Sequence, residues 1–265
     1  WSLIDKMTKI HPTAIIDSQA KIGNNVEIGP FSIIGPKVTL ADNNIIKSNV
    51  IITGNTQIGS GNIFFPFAVI GEDPQDLKYQ GEDSKIIIGD NNKIREYVTI
   101  HPGTKDDNLI TKIGNNCLFM ISSHIAHDCV IGNGVIMANN ATLAGHVHVG
   151  DNVVIGGLSA IHQFVKIGRF AMIGGMSGVE NNVLPFTTVA GERAKLAGLN
   201  LLGLKRGKIE KNSINSVRKF YKSLFQDTNF NDNLNSALNN SNQDPLVEEM
   251  NLFIQTKGKR GLCKP

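Results

Sequence analysis

The chain has 265 residues, a formal net charge of +3 and 18% charged residues, and no apolar run in it approaches the length of a membrane span. No signal-peptide pattern is present, and the three cysteines, an odd number, argue against a disulfide framework and for a reducing cytoplasm. Trp1–Lys6 precede Met7, which has the look of a natural start, so residues 1–9 read as an N-terminal extension.

From Ile10 every sixth residue is aliphatic or Phe: Ile10, Ile16, Ile22, Ile28, Ile34, Leu40, Ile46, Ile52, Ile58, Phe64, Ile70. Neither an amphipathic helix nor an isolated strand has this period; a strict hexad marks a parallel β-helix. The first slot holds the large inward residue, and the fifth is small or β-branched, as in Ala14, Val26, Ser32, Val38 and Thr56. The second slot is often Gly, as at Gly23 and Gly29, which would ease the corner between flat sides. Three hexads make one triangular coil, and residues 18 apart stack about 4.8 Å away on the next coil.

The phase breaks twice. Ile70 to Ile88 carries Asp76 and Glu82 where apolar residues are due, so residues 72–85 read as a protruding loop. A shorter excursion is expected over 105–112, after which the hexads run from Ile113 to Val179. The solenoid is expected to occupy 10–190 and a small helical domain 191–265. Ser213–Gln226 reads as an amphipathic helix, and Asp232–Asn239 as a short one. A last helix is expected with Asp244 as N-cap, Pro245 in first position and a stop at Gly258.

Chemistry concentrates in the second half. His124, His127, His146, His148 and His162 all fall outside inward slots, and the register puts His127, Gly145 and Gln163 in one column with Asp128 near His146. Three readings stay open on the residues alone: exposed surface histidines, a metal site, or a general base for acyl transfer. The zinc arrangement of hexapeptide-repeat carbonic anhydrases needs a histidine pair five apart, and residue 167 is Ile, so no metal is expected. Lys205, Arg206, Lys208, Lys211, Arg218 and Lys222 make the C-terminal part basic, either a solvated helix face or a dock for something acidic. No nucleic-acid recognition motif accompanies them.

Several motifs carry a resemblance. Ile121-Ser-Ser-His-Ile-Ala-His-Asp-Cys129, Ala138–His146, Ile161-His-Gln-Phe164, Gln75-Asp-Leu-Lys-Tyr79, Ile94-Arg-Glu with Thr99-Ile-His101, and Gly198–Arg206 together resemble the UDP-N-acetylglucosamine O-acyltransferases, a hexapeptide-repeat acyltransferase family. The resemblance spans essentially the full chain. It implies an all-β solenoid, a left-handed parallel β-helix with a small helical C-terminal domain, although parallel crossovers are otherwise almost always right-handed. It implies transfer of a 3-hydroxyacyl chain from acyl carrier protein to the glucosamine 3-hydroxyl of UDP-N-acetylglucosamine, the first step of lipid A synthesis, in the cytoplasm of a Gram-negative bacterium. His127 then matches the general base, the Gly145 N–H the oxyanion donor and Asp128 the residue orienting a histidine. Gln75, Asp76, Lys78, His101, His124, His146, His162 and Gln163 match pocket positions. Asn200 and Arg206 match the nucleotide end, and Gly175 the position limiting acyl length, with a donor of about fourteen carbons implied. Leu202 and Gly207 stand where family members often carry Glu and a second Arg. A homotrimer is implied, with no cofactor beyond the phosphopantetheine of the donor and no stable membrane insertion. Cys117 and Cys129 occupy core slots, against a covalent acyl-cysteine. Two rivals remain. The related N-acyltransferase has a separate domain before its hexads, which here begin at once. A non-catalytic scaffold has no reason to set a histidine column beside an interrupting loop.

Overall fold

In the computed structural model the hexads become strands mostly two residues long, each covering slots six and one, as in Glu27–Ile28 and Ile33–Ile34. The structure describes residues 8–225, 233, 244–256 and 258–265. Most of the expected 1–9 extension and the helix expected over Asp232–Asn239 lie outside them. Successive strands go to three different sheets, of eleven, nine and eight strands, so until the last coil each pairs with the strand three further along the chain. Pairing is parallel and in register at 18 residues, as Ile28↔Ile46 and Ile34↔Ile52. The interval rises to 30 across the first loop, Ile70↔Ile100, and to 25 across the second, Ile94↔Phe119. Both excursions therefore leave the stack intact. The second ends earlier than expected, because Ile110–Ile113 is already a strand.

First-slot residues stack along the axis of this left-handed β-helix: Ile34, Ile52, Ile70, Ile100, Ile125, Leu143 and Ile161 are all at most 2% exposed. Each such burial contributes about 1.5–3 kcal/mol. Fifth-slot residues complete the core, among them Asn44, Asn62 and Asn92, all fully buried. These three form a ladder. Asn62 N–H and Nδ2 donate to Asn44 Oδ1 at 2.9 and 3.1 Å, Asn92 N–H to Asn62 Oδ1 at 2.9 Å, and Cys117 N–H to Asn92 Oδ1 at 2.7 Å.

The corners are built differently from the sequence reading. The left-handed residue is the fourth slot, as at Asn25 (φ 53°), Asn43 (φ 62°) and Asn116 (φ 58°). Asn tolerates that conformation better than most residues. The second-slot glycines serve close approach instead: a Cβ on Gly23 would lie 2.7 Å from the Ala41 carbonyl carbon of the next coil.

The solenoid ends in an antiparallel pair, Thr187–Ala190 with Lys195–Leu199. Three described helices follow: α1 (Leu201–Arg206), α2 (Lys211–Leu224) and α3 (Pro245–Gln255). Helix α1 was not anticipated. Asn200 caps it by accepting from Gly203 N–H at 3.0 Å. Asp244 caps α3 as expected, accepting from Leu246 N–H at 3.0 Å, but the helix ends at Gln255 with Thr256 as C-cap, short of Gly258. The helices bury Leu204, Val217, Phe220, Leu246 and Met250 against Phe170 and Phe186 of the last coils, a second core beside the first. Arg169 Nε donates to both Glu249 oxygens at 2.7 and 2.5 Å, tying α3 to the solenoid.

Candidate active site

Strand His124–Ile125 lies in the nine-stranded sheet, and the chain then turns a corner towards Val130–Ile131 in the eight-stranded sheet. The fourth slot at this corner is Asp128, then His146, then Phe164 on successive coils, with φ of 58°, 61° and 66°. Functional side chains thus sit in the conformation that corners elsewhere give to Asn. The third slot is His127, then Gly145, then Gln163. Gly145 leaves room for the His127 ring, since a Cβ there would be 2.4 Å from its Cε1.

Asp128 is almost fully buried and accepts from Thr104 N–H, from Thr104 Oγ1 at 2.6 Å and from His127 Nδ1 at 2.9 Å. Burial opposes its ionisation, but the bonds from His127 and Thr104 outweigh that and hold its carboxyl below the usual carboxylate range. An ionised Asp128 can only accept, so His127 donates from Nδ1, and in the neutral ring that leaves the lone pair on Nε2. That Nε2 faces the first loop, 3.9 Å from Asp76 Oδ2. His146 stands edge-on to His127 with centroids 5.0 Å apart, and stacks on Phe164 at 4.4 Å. Its Nδ1 donates to Asp107 Oδ2 at 3.1 Å.

The Gly145 N–H has no acceptor among the described residues. At the corner between the eight- and eleven-stranded sheets several equivalent groups are capped by the next coil, as Asn115 N–H is by Asn133 Oδ1 at 2.9 Å and Asn133 N–H by Asp151 Oδ1 at 2.6 Å. Gln163, the residue above Gly145, provides no such cap.

Gln75, Asp76, Lys78, His127, His146 and Gln163 line one open cleft of about 850 Å³, together with Leu77, Asp106, Phe164 and Lys259. Lys78 Nζ is 2.9 Å from Asp106 Oδ2. His162 and Gln163 also line an adjoining groove of about 490 Å³, floored by Thr142, Ala144, Ala160 and Gly178. His101 and His124 form a second edge-on pair at 5.3 Å. His101 donates from Nδ1 to the Asp73 carbonyl at 2.7 Å, which moors the loop, and His124 bonds Thr99 Oγ1 at 2.7 Å. Burial pushes the His124 imidazole down to about 4, with His101 and His127 adding to it, so it is neutral near pH 7.

Other expected residues lie apart from this cleft. Gly175 is exposed at a different corner. Asn200 has both ends of its amide engaged, its Nδ2 donating to Phe170 O at 2.9 Å, and Arg206 is exposed in the last turn of α1. His148 projects from the eight-stranded sheet. Sequence reasoning missed Thr104, Asp107 and the C-terminal Lys259 and Arg260. His127, Asp128 and His146 each offer a ligand atom within 4.8 Å of the others, but the Asp128 oxygens are already the anchor for Thr104 and His127. Cys117 and Cys129 are buried, and burial pushes their thiols up to about 11 and about 12, leaving no thiolate near neutral pH.

A hexapeptide β-helix with an oriented histidine beside an open backbone N–H defines a hexapeptide-repeat transferase. The chain matches the family model "Bacterial transferase hexapeptide (six repeats)" over residues 19–54 and 110–145, and "Udp N-acetylglucosamine O-acyltransferase; Domain 2" over 182–263. It is 52% identical over 258 residues to the acyl-[acyl-carrier-protein]–UDP-N-acetylglucosamine O-acyltransferase of Rickettsia peacockii (strain Rustic), covering 97% of this chain and 98% of that one. It is 51% identical to the enzyme of the same name from Psychrobacter sp. (strain PRwf-1), covering 97% and 100%. The solved UDP-N-acetylglucosamine acyltransferase from Campylobacter jejuni superposes with a TM-score of 0.92 at 39% identity, covering 97% and 100%. The chain belongs to the acyl-[acyl-carrier-protein]–UDP-N-acetylglucosamine O-acyltransferase family.

Proposed function

We propose that this protein transfers an (R)-3-hydroxyacyl chain from acyl carrier protein to the 3-hydroxyl of UDP-N-acetylglucosamine, the first step of lipid A synthesis. The observation that carries the mechanism is the His127–Asp128 pair, with its free Nε2 facing the cleft beside the unpartnered Gly145 N–H. His127 Nε2 takes the sugar hydroxyl proton as the oxygen attacks the thioester carbonyl. The Gly145 N–H receives the developing oxyanion, a contact of the kind typically worth about 3 kcal/mol. Collapse expels the carrier thiolate, which takes the proton back from the imidazolium. Asp128 keeps the ring in the reactive tautomer and stabilises its charged form. The groove over Thr142, Ala160 and Gly178, smooth because its side chains are small, suits an acyl chain.

The reading extends to a homotrimer with sites at subunit boundaries and to the cytoplasm of a Gram-negative bacterium. Three unpaired, buried thiols support a reducing compartment. Among the described residues no helix is long and apolar enough to cross a membrane.

The decisive experiment is His127→Ala, assayed by mass spectrometry with UDP-N-acetylglucosamine and a 3-hydroxyacyl carrier protein. Turnover should fall by about 10²–10⁴-fold with the fold unchanged. His148→Ala, on the neighbouring sheet, should stay close to wild type. A His127→Ala rate above about a tenth of wild type would remove the base assignment.

A further inference from the structure

Beyond α3, residues 258–265 run back along the final coils and are fixed there. Asn182 N–H donates to Gly261 O at 2.7 Å, Asn182 Nδ2 to Arg260 O at 3.0 Å, Cys263 N–H to Asn182 O at 2.8 Å and Leu196 N–H to Lys264 O at 2.9 Å. Cys263 is 2% exposed and belongs to the solenoid core. This anchoring holds Lys259 and Arg260 at the rim of the His127 cleft. Lys259 Nζ sits 3.7 Å over the Phe164 ring and lines the cleft. Arg260 Nε donates to Gln163 O at 3.0 Å, and its Nη2 contacts His162 Nδ1.

The charge balance of these two residues is unusual for the site. Lys78, on the opposite wall, is paired with Asp106. Neither Lys259 nor Arg260 has a carboxylate within ion-pair reach among the described residues. Two neighbouring cations on one short anchored segment repel each other, and a bound anion relieves that. Their donors also match a phosphate. Lysine brings a mobile point charge, and the arginine retains guanidinium N–H groups beyond those spent on Gln163 and His162.

We propose that Lys259 and Arg260 form a phosphate-binding arm of the cleft. This inference rests on the reaction assigned above, in which both substrates bring phosphate: a diphosphate in the sugar nucleotide and a phosphodiester in the carrier-linked donor. The arm takes one of them and so positions that substrate over His127 without touching the reacting atoms.

Full-length Lys259→Ala and Lys259→Arg separate the possibilities. In Lys259→Ala the KM for one substrate should rise about tenfold while kcat changes less than about threefold, since the contact is the same in ground and transition states. Lys259→Arg should restore most of the loss. If the donor phosphate is the ligand, wild-type enzyme should prefer acyl-4′-phosphopantetheine over acyl-pantetheine by about tenfold, and Lys259→Ala should erase that preference. If the nucleotide is the ligand, the KM for UDP-N-acetylglucosamine should rise and the donor preference stay put. Calorimetric binding of UDP and of 4′-phosphopantetheine reads the arm without turnover. Wild-type turnover with both KM values and both affinities unmoved in Lys259→Ala would overturn the phosphate arm alone. Absent wild-type turnover would instead overturn the reaction, while the binding measurements still judge the arm.

Discussion

Asp128 shows how one residue can serve fold and chemistry together. Its left-handed backbone turns the corner, and its buried carboxylate gathers Thr104 and His127. His124, three residues before His127, is kept neutral by burial, which holds it near 4, below the ordinary 6.5. The unfolded chain therefore binds a proton that the folded chain refuses across that interval. Stability from this residue is complete above about pH 6.5 and is lost progressively as pH falls towards about 4. Asp128, whose carboxyl is held low, loses its contribution only in more acidic solution. Urea unfolding at pH 7 and pH 5 should show a smaller acid-side loss in His124→Asn than in wild type. Equal losses would place the acid sensitivity elsewhere.

At the scale of elements, the repeating coil depends on two devices with different legibility. The inward first slot was legible because a period of six tolerates no other reading, and the structure buries those positions through the middle of the solenoid. The asparagine ladder was not legible, because Asn44, Asn62 and Asn92 break the small-apolar pattern of their slot and only the stacking shows their bonds. Asn62→Ala should cost about 1–3 kcal/mol, because it strips the acceptor from the buried Asn92 N–H. The urea midpoint should fall with an unchanged slope, and an unchanged midpoint would make the ladder dispensable. In the site, the His127, Gly145 and Gln163 column followed from the 18-residue register. Their chemical roles came from the resemblance. Asp107 and Arg260 could not be reached that way, since their contacts join residues 39 and 97 apart across a loop and a returning tail. Helix α1 escaped because Gly203 interrupts a short apolar stretch, whereas the Asp244–Pro245 start of α3 carries its own signal.

For the whole molecule, two surfaces suggest what the single chain meets. Ile15, Phe31, Phe67, Tyr97, Leu158 and Met176 are exposed along one sheet face and its adjoining corner, and Phe67 stacks on Tyr97 at 5.1 Å. A strip of this kind suits an interface between copies, and the proposed cyclic assembly of three would cover it. Light scattering should report a trimer at assay concentration, and a fully active monomer would sink that expectation. The second surface is electrostatic. Lys205, Arg206, Lys208, Lys211, Arg218 and Lys222 are all exposed on or beside α1 and α2. A cationic patch of this kind attracts an acidic protein at long range and is screened within about 8 Å at physiological salt. Replacing Lys205, Arg218 and Lys222 by Glu should therefore raise the KM for acyl carrier protein far more than that for UDP-N-acetylglucosamine. The wild-type KM for the carrier should itself climb with salt, and that dependence should flatten in the triple variant. These side chains are solvent-exposed, so the helices should keep their packing and the melting temperature should hold. Equal increases in both KM values would point to a folding defect, and unchanged salt dependence would place the carrier dock on another face.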